Sequence, residues 1–255
     1  MLTVISPAKK LNETGAHLPQ DVSMTKPALQ NEANHLAEIA RTLSTADLRI
    51  LMTISEPLAK LNKERFAKYD PKQAMFPAAF LFAGDTYTGL DPKSLGNDAL
   101  HWAQGHLRIL SGLYGLLRPL DAIAPYRLEM GSRLQSEKGP NLYSFWRDLL
   151  AAEINKAARV TGSKILVNCA SQEYFSAIDL TALKLKVVTP VFLEERNGTS
   201  KIVSFWAKKA RGAMARYICE RHLTDINDLC DFSAGGYIFN GSKSTDKHFI
   251  FTRNP

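Results

Sequence analysis

The sequence predicts a mixed α/β fold formed by one compact domain. Residues 2–5 and 164–169 are short apolar runs with the character of buried strands. Residues 143–159, in contrast, place apolar side chains at helical spacing. The chain has 255 residues, of which 45% are hydrophobic and 22% charged, and no linker or repeat divides it. This is enough apolar material for one large core, so we expect residues 1–255 to form a single domain.

The composition also narrows the class of protein. There are 32 Lys and Arg against 25 Asp and Glu, which gives a net charge of +7 and favours a polyanionic partner. No stretch approaches the ~20 apolar residues of a membrane span, and the first residues lack the order of a signal peptide. Three cysteines without a CxxC pair indicate a cytoplasmic, reduced protein with no structural disulfide.

Local signals predict the elements of the first half in order. The first strand ends at Ser6, and Lys9 and Lys10 follow at once; they either reach a site beyond the strand end or are simply solvated. A helix is then expected at residues 30–42. A second helix is expected to begin at a capping box formed by Ser44 and Asp47 and to run to residue 52. Further helices are expected at residues 56–69 and from residues 97–98 through residue 110.

The second half alternates in the same way. After the helix at residues 143–159 and the strand at 164–169, residues 187–196 and 199–206 predict a hairpin around Asn197 and Gly198. A helix at residues 205–223 and a strand pair at residues 237–240 and 248–252 complete the prediction.

Residues 107–131 stand out because a turn bracketed by two glycines lies among arginines. Gly112 and Gly115 remove side chains from the turn, and Arg108, Arg118 and Arg127 flank it. Such a turn is suited to bind a phosphate backbone through its N–H groups. The alternative is an ordinary helix–turn connection with surface arginines.

The helix at residues 205–223 has a basic face. At ~100° per residue, four cations fall within one sector with no acidic residue among them: Lys208, Lys209, Arg211 and Arg216. A structural charged face usually mixes signs to form i,i+4 pairs, so this pattern favours a bound polyanion over a solvated face.

A candidate pocket lies where the strand at residues 164–169 meets the following helix. Asn168, Ser171, Glu173 and Tyr174 are close in sequence at this junction, beside the N–H groups of a helix N-terminus. Ordinary helix capping by Ser171 is the alternative.

Other motifs of catalysis are missing from the sequence. There is no Walker A, GxGxxG, HExxH or GxSxG motif, so we expect no cofactor and no metal site. Asp85, Asp121, Glu129 and Glu173 are possible acid–base residues, but the sequence brings no two of them together.

Several segments resemble the YaaA family of bacterial peroxide-stress proteins. They are SPAKKL, FAGDTYTGL, RILSGLYGLLRPLD, PYRLEMG, NLYSFWRD, LVNCASQEYF, FWAKKARGAMARYI and GGYIF, and they run in family order over nearly the whole chain. The resemblance implies a single-domain α/β fold of unusual topology with a basic cleft. It also implies a helix-hairpin-helix element, here a helix to residue 110, a hairpin at residues 111–115 and a second arm from residue 116.

Two functional hypotheses follow. The resemblance implies a DNA-binding protein of the hydrogen-peroxide response that protects or repairs DNA and limits damage from unincorporated iron. The predicted contacts are Lys9, Lys10, Arg108, Gly112, Gly115, Arg118, Arg127, Lys208, Lys209, Arg211 and Arg216. The alternative is an enzyme acting on a nucleobase or on damaged DNA, with its pocket at Asn168, Ser171, Glu173 and Tyr174. The expected partner is DNA rather than a membrane. The sequence indicates no protein partner and leaves the oligomeric state open.

Overall fold

A computed structural model describes residues 1–14, 18, 21–73 and 76–254 of the chain. The strands are β1 (Leu2–Ile5), β2 (Lys10–Leu11), β3 (Phe76–Pro77), β4 (Phe82–Ala83), β5 (Leu107–Ser111), β6 (Gly115–Leu117), β7 (Ala122–Ile123), β8 (Ile165–Cys169), β9 (Lys186–Arg196), β10 (Thr199–Lys201), β11 (Ile238–Phe239) and β12 (His248–Arg253). The helices are α1 (Gln30–Thr42), α2 (Thr45–Met52), α3 (Glu56–Ala67), α4 (Ala78–Leu81), α5 (Asp85–Leu90), α6 (Asn97–His106), α7 (Leu142–Thr161), α8 (Gln172–Phe175) and α9 (Ser204–Glu220). Short 3₁₀ turns lie at Pro71–Gln73, Pro92–Ser94, Asn227–Asp231, Ala234–Gly236 and Gly241–Lys243.

The main sheet has the strand order β11-β12-β9-β8-β1-β5-β6, and β10 adds a hairpin arm to β9. The five inner strands β12, β9, β8, β1 and β5 run parallel to one another, whereas β6, β10 and β11 pair with them in the antiparallel direction. All four residues of β1 are buried, as expected for a parallel strand covered on both faces. This architecture confirms the predicted mixed α/β class.

The helices cover the sheet and share one hydrophobic core with it. Alanines along α1 and the aromatic residues of α7 form part of that core, with Trp146 fully buried. Within the described ranges, no helix is both long enough and apolar enough to cross a membrane.

The predicted helix-hairpin-helix element is wrong. The preceding helix, α6, ends at His106, and residues 107–111 form β5 with all five side chains buried. An amphipathic helix would bury only one face, whereas a strand between β1 and β6 buries both. Ser111 pairs with Gly115, so the glycine-bracketed segment is the tight turn of a β-hairpin inside the sheet.

The two glycines of this turn serve packing. A Cβ atom on Gly112 would lie 2.2 Å from the Leu128 carbonyl oxygen, and one on Gly115 would lie 2.7 Å from the Trp146 ring. Trp146 Nε1 also donates a hydrogen bond to the Gly112 oxygen at 2.9 Å. Both glycines are buried, so close packing accounts for them without a contact to DNA.

Candidate functional site

The main cleft lies at the carboxyl ends of β1 and β8, in the middle of the sheet. Ser6 follows β1, and its hydroxyl accepts a hydrogen bond at 2.8 Å from the backbone N–H of Ser171, which follows β8. The two serine hydroxyls are 3.3 Å apart. Because β1 and β8 are adjacent and parallel, both loops leave the sheet on the same side. Ligands of open α/β sheets bind in this position.

The cleft has a volume of about 410 Å³ and a mixed lining of charges. Its cations are Lys9, Lys10, Lys208 and Arg211, and its carboxylates are Asp85 and Glu173. The structure therefore brings the cations after β1 together with those of α9 on one surface. The carboxylates Asp85 and Glu173, which the sequence could not connect, line this same cleft.

Arg211 is the most buried of the four cations that line the cleft. Burial lowers the pKa of its guanidinium, which lies beside the Cys169 thiol. In the described part of the chain it has no hydrogen-bond acceptor and no ion-pair partner, and Lys10 and Lys208 also form no ion pair there. A partly desolvated guanidinium without a carboxylate is stabilised by a bound anion.

A small recess with Glu129 on its wall adjoins the cleft, and Lys9 and Tyr174 line both. Arg127 Nη2 lies 2.9 Å from Glu129 Oε1, and Lys9 Nζ lies 3.4 Å from the same oxygen. The other carboxylate oxygen, Oε2, is buried and accepts no hydrogen bond from the described residues. Arg127 is thus held at the recess beside the cleft by its ion pair.

Three of the four predicted pocket residues line the cleft: Ser171, Glu173 and Tyr174. Ser171 also caps α8 as expected, and Glu173 Oε1 accepts a hydrogen bond from Gly131 N at 3.0 Å. Burial raises the pKa of Tyr174 well above its ordinary value, so its phenol stays neutral. Asn168 is absent from the lining. It fixes the turn after β8 by accepting from Ala170 N at 3.0 Å.

Sequence comparison supplies the family. Residues 1–243 match the sequence profile of the family described as peroxide stress protein YaaA. The chain belongs to the YaaA family. A UPF0246 protein of Cereibacter sphaeroides is 57% identical over 255 residues, covering 99% of both chains. A UPF0246 protein of Ruegeria pomeroyi is 53% identical over 256 aligned residues, covering 99% of this chain and 98% of the relative. For one of Jannaschia sp., identity is 56% over 238 residues, with coverage of 93% and 91%.

Two of the predicted DNA contacts lie elsewhere in this YaaA protein. Arg108 and Arg118 line a second cavity of about 230 Å³, which shares no lining residue with the main cleft. Arg118 Nη2 is 2.8 Å from Asp121 Oδ1. The Arg108 side chain is buried and donates to the Leu107 oxygen, and burial lowers its pKa to about 10. Arg108 and Arg118 therefore lie apart from the cleft cations of the basic helix, whereas Arg127 lies in the recess beside the cleft.

The four cations on the basic face of α9 do not all face the cleft. Arg216 Nη2 lies 2.6 Å from Glu220 Oε1, and its Nη1 donates to the Asp91 oxygen at 2.9 Å. The prediction of four cations without an acidic partner is therefore wrong for Arg216. Lys209 is exposed and does not line the cleft. Only Lys208 and Arg211 of the four face the candidate site of this YaaA-family chain.

The sequence did not assign Ser6, Asp85 or Glu129 to a common site. Asp85 follows β4, which pairs with β2, the strand that begins at Lys10. Glu129 is placed by its contacts with Arg127 and Lys9. The available signal was the appearance of polar residues directly after predicted strands, but it does not show which strands are neighbours.

Proposed function

We propose that this chain is a DNA-binding protein of the peroxide stress response, which binds the phosphate backbone through the main cleft without reading the base sequence. Family membership supports the role in peroxide stress. The observation that carries the binding proposal is the convergence of four cations on one cleft, with Arg211 partly buried and without a carboxylate partner among the described residues.

Phosphate contacts from lysine and arginine supply affinity without sequence information. Binding of this kind shields DNA from damage, and an effect on damage caused by unincorporated iron is then indirect. All three cysteines are free thiols, which supports the proposal that the protein acts in the reducing cytoplasm.

The salt dependence of binding tests this proposal. If all four cleft cations contact phosphates, log Kd plotted against log salt has a slope of about 3.6, and removing two of the cations halves it. Raising the salt from roughly 50 to 200 mM weakens wild-type binding ~150-fold, and that of Lys208→Ala/Arg211→Ala ~12-fold. The assay is fluorescence anisotropy with a labelled duplex.

A matched control removes the same charge outside the cleft. Lys201 and Lys247 are exposed and make no ion pair in the described part of the chain. We expect Lys201→Ala/Lys247→Ala to keep the wild-type slope. An unchanged slope in the Lys208→Ala/Arg211→Ala protein, or an equal loss in both variants, would contradict the assignment of DNA to this cleft.

One observation favours a second candidate function, an enzyme acting on a nucleobase or on damaged DNA. Lys9 Nζ lies 3.4 Å from a buried carboxylate, Glu129, at the edge of the cleft. A lysine beside a carboxylate can act as an amine nucleophile whose protons are taken up locally. Borohydride would trap such a lysine on abasic DNA as a covalent adduct. If wild type forms no more adduct than Lys9→Ala, this candidate is excluded for that substrate.

A further inference from the structure

The walls of the main cleft carry carboxylates as well as cations. Asp85 and Glu173 line the same space as Lys208 and Arg211. A site built only for phosphate would be weakened by these carboxylates, because like charges repel. The lining fits a ligand that combines an anionic group with hydrogen-bond donors.

The carboxylates have acceptor capacity that the protein does not use. Glu173 Oε1 accepts from Gly131 N, and its second oxygen has no donor in the described ranges. Asp85 opens α5 and accepts no hydrogen bond from a described side chain or backbone group. Glu129 Oε2, in the adjoining recess, is buried and equally unpartnered. Of these three carboxylates only Glu129 has its free oxygen buried, where an acceptor without a donor is costly. Glu173 is exposed and Asp85 is partly exposed, so their free oxygens are open to donors on a ligand that enters the cleft.

The size of the cleft limits what can enter it. Its volume of about 410 Å³ is within the range of roughly 300–1,000 Å³ typical of small-molecule sites. In a duplex the bases are stacked and paired, so their pairing edges cannot reach a carboxylate on the wall of the cleft unless a nucleotide leaves the stack. A single nucleotide of a DNA strand carries a phosphate together with the N–H groups of its base.

We propose that the cleft takes one unpaired nucleotide of DNA, with its phosphate on Lys208 and Arg211 and its base donors on Asp85 and Glu173. This inference rests on the proposed DNA binding and adds to it the form of DNA that is preferred. A free nucleoside monophosphate has the same chemistry, so the test must separate the two sources.

The test compares three labelled DNAs at one salt concentration: a duplex, the same duplex with one bulged nucleotide, and the same duplex with an abasic bulge. The abasic bulge retains the sugar, the phosphate and the flexibility but has no base. We expect the bulged duplex to bind ~10-fold more tightly than either of the others, since contacts to one extruded base are worth about that factor.

Two variants isolate the carboxylates. Asp85→Asn and Glu173→Gln should each reduce the preference for the bulge, while affinity for the plain duplex rises because a negative charge is lost from a phosphate-binding cleft. Asp148→Asn is the charge-matched control, because Asp148 is exposed on α7 and outside the cleft. It should leave the preference unchanged.

Equal binding of duplex and bulge would overturn this inference and leave the proposed function intact. Equal binding of the two bulges would assign the preference to backbone flexibility and overturn the base contact. Failure to bind any DNA at low salt would overturn the proposed function itself. In a separate competition experiment, dAMP, dGMP, dCMP and dTMP at ~1 mM are added to the protein bound to the labelled bulged duplex. Full displacement would identify the ligand as a free nucleotide and overturn DNA as its source.

Discussion

Replacing Gly212 with alanine tests how closely α5 and α9 cross. A Cβ atom on Gly212 would lie 1.8 Å from the Thr86 carbonyl oxygen and 2.9 Å from Leu90 N. On the facing helix, a Cβ atom on Gly89 would lie 2.0 Å from the Lys209 oxygen. Each helix thus places a glycine against the backbone of the other, and backbone atoms cannot rotate away as a flexible side chain would.

The size of the effect follows from these distances. Real Cβ atoms essentially never come closer than 3.0 Å to such a neighbour, so the Thr86 oxygen must move by at least 1.2 Å away from Gly212. Overpacking of this kind costs ~3 kcal/mol, whereas the higher helix propensity of alanine returns ~1 kcal/mol. We therefore expect Gly212→Ala to lower the free energy of unfolding by about 2 kcal/mol and the melting temperature by roughly 6 °C.

The measurement is thermal and urea unfolding of Gly212→Ala beside Gly105→Ala. Gly105 lies in α6, and its nearest neighbour to an added Cβ atom is Thr161 Cγ2 at 3.9 Å. Alanine fits there, so this control should be as stable as wild type or more stable by up to ~1 kcal/mol. If the two variants have the same stability, the close crossing of α5 and α9 is refuted.

Two further predictions concern buried groups. Burial raises the pKa of the Cys169 thiol to about 12, so at neutral pH only about 1 part in 100,000 is thiolate. Peroxide should therefore leave Cys169 unmodified in the native protein. A sulfenic acid found at Cys169 by mass spectrometry would contradict this. Burial would raise the pKa of Glu194, but the hydrogen bonds from Arg253 and Tyr237 bring it below 4.5. Its stabilising effect is present above pH ~4.5 and is lost as the pH falls through the folded-state pKa. Glu194→Gln should cost ~3 kcal/mol at pH 7 and progressively less in acid, as measured by urea unfolding at several pH values.

The elements set by local signals could be predicted from the sequence. The capping box of Ser44 and Asp47 starts α2 as expected, since both hydrogen bonds lie within four residues. Asn197 and Gly198 adopt positive φ angles of 51° and 74° and close the β9–β10 hairpin. The helix predicted over residues 107–110 is wrong because an apolar run of this length fits a helix or a strand equally well. The parallel pairing with β1 makes it a strand.

The candidate site could be predicted only in pieces. Lys9 and Ser171 were each expected beyond the end of a strand, but their proximity depends on β1 pairing with β8, and no local pattern specifies that pairing. Arg216 was assigned to the ligand although its close ion-pair partner, Glu220, lies four residues on in the same helix; its second partner, Asp91, is remote in sequence. The charge pattern of α9 therefore identified two of the cleft cations, and the i,i+4 spacing of Arg216 and Glu220 was the signal that could have excluded Arg216.

The central position of β1 has a consequence for how the protein is made. Thr3 pairs with Leu107 on one side and with Val167 on the other, so β1 is synthesised before both of its neighbours and receives the second one only after β8 has been translated. Non-local parallel pairing of this kind is slow and leaves apolar strands exposed in the meantime. A nascent chain that stops before β8 cannot complete the middle of the sheet. Because the cleft is built on the ends of β1 and β8, binding activity should appear only late in translation, and truncated products should depend on chaperones or be degraded.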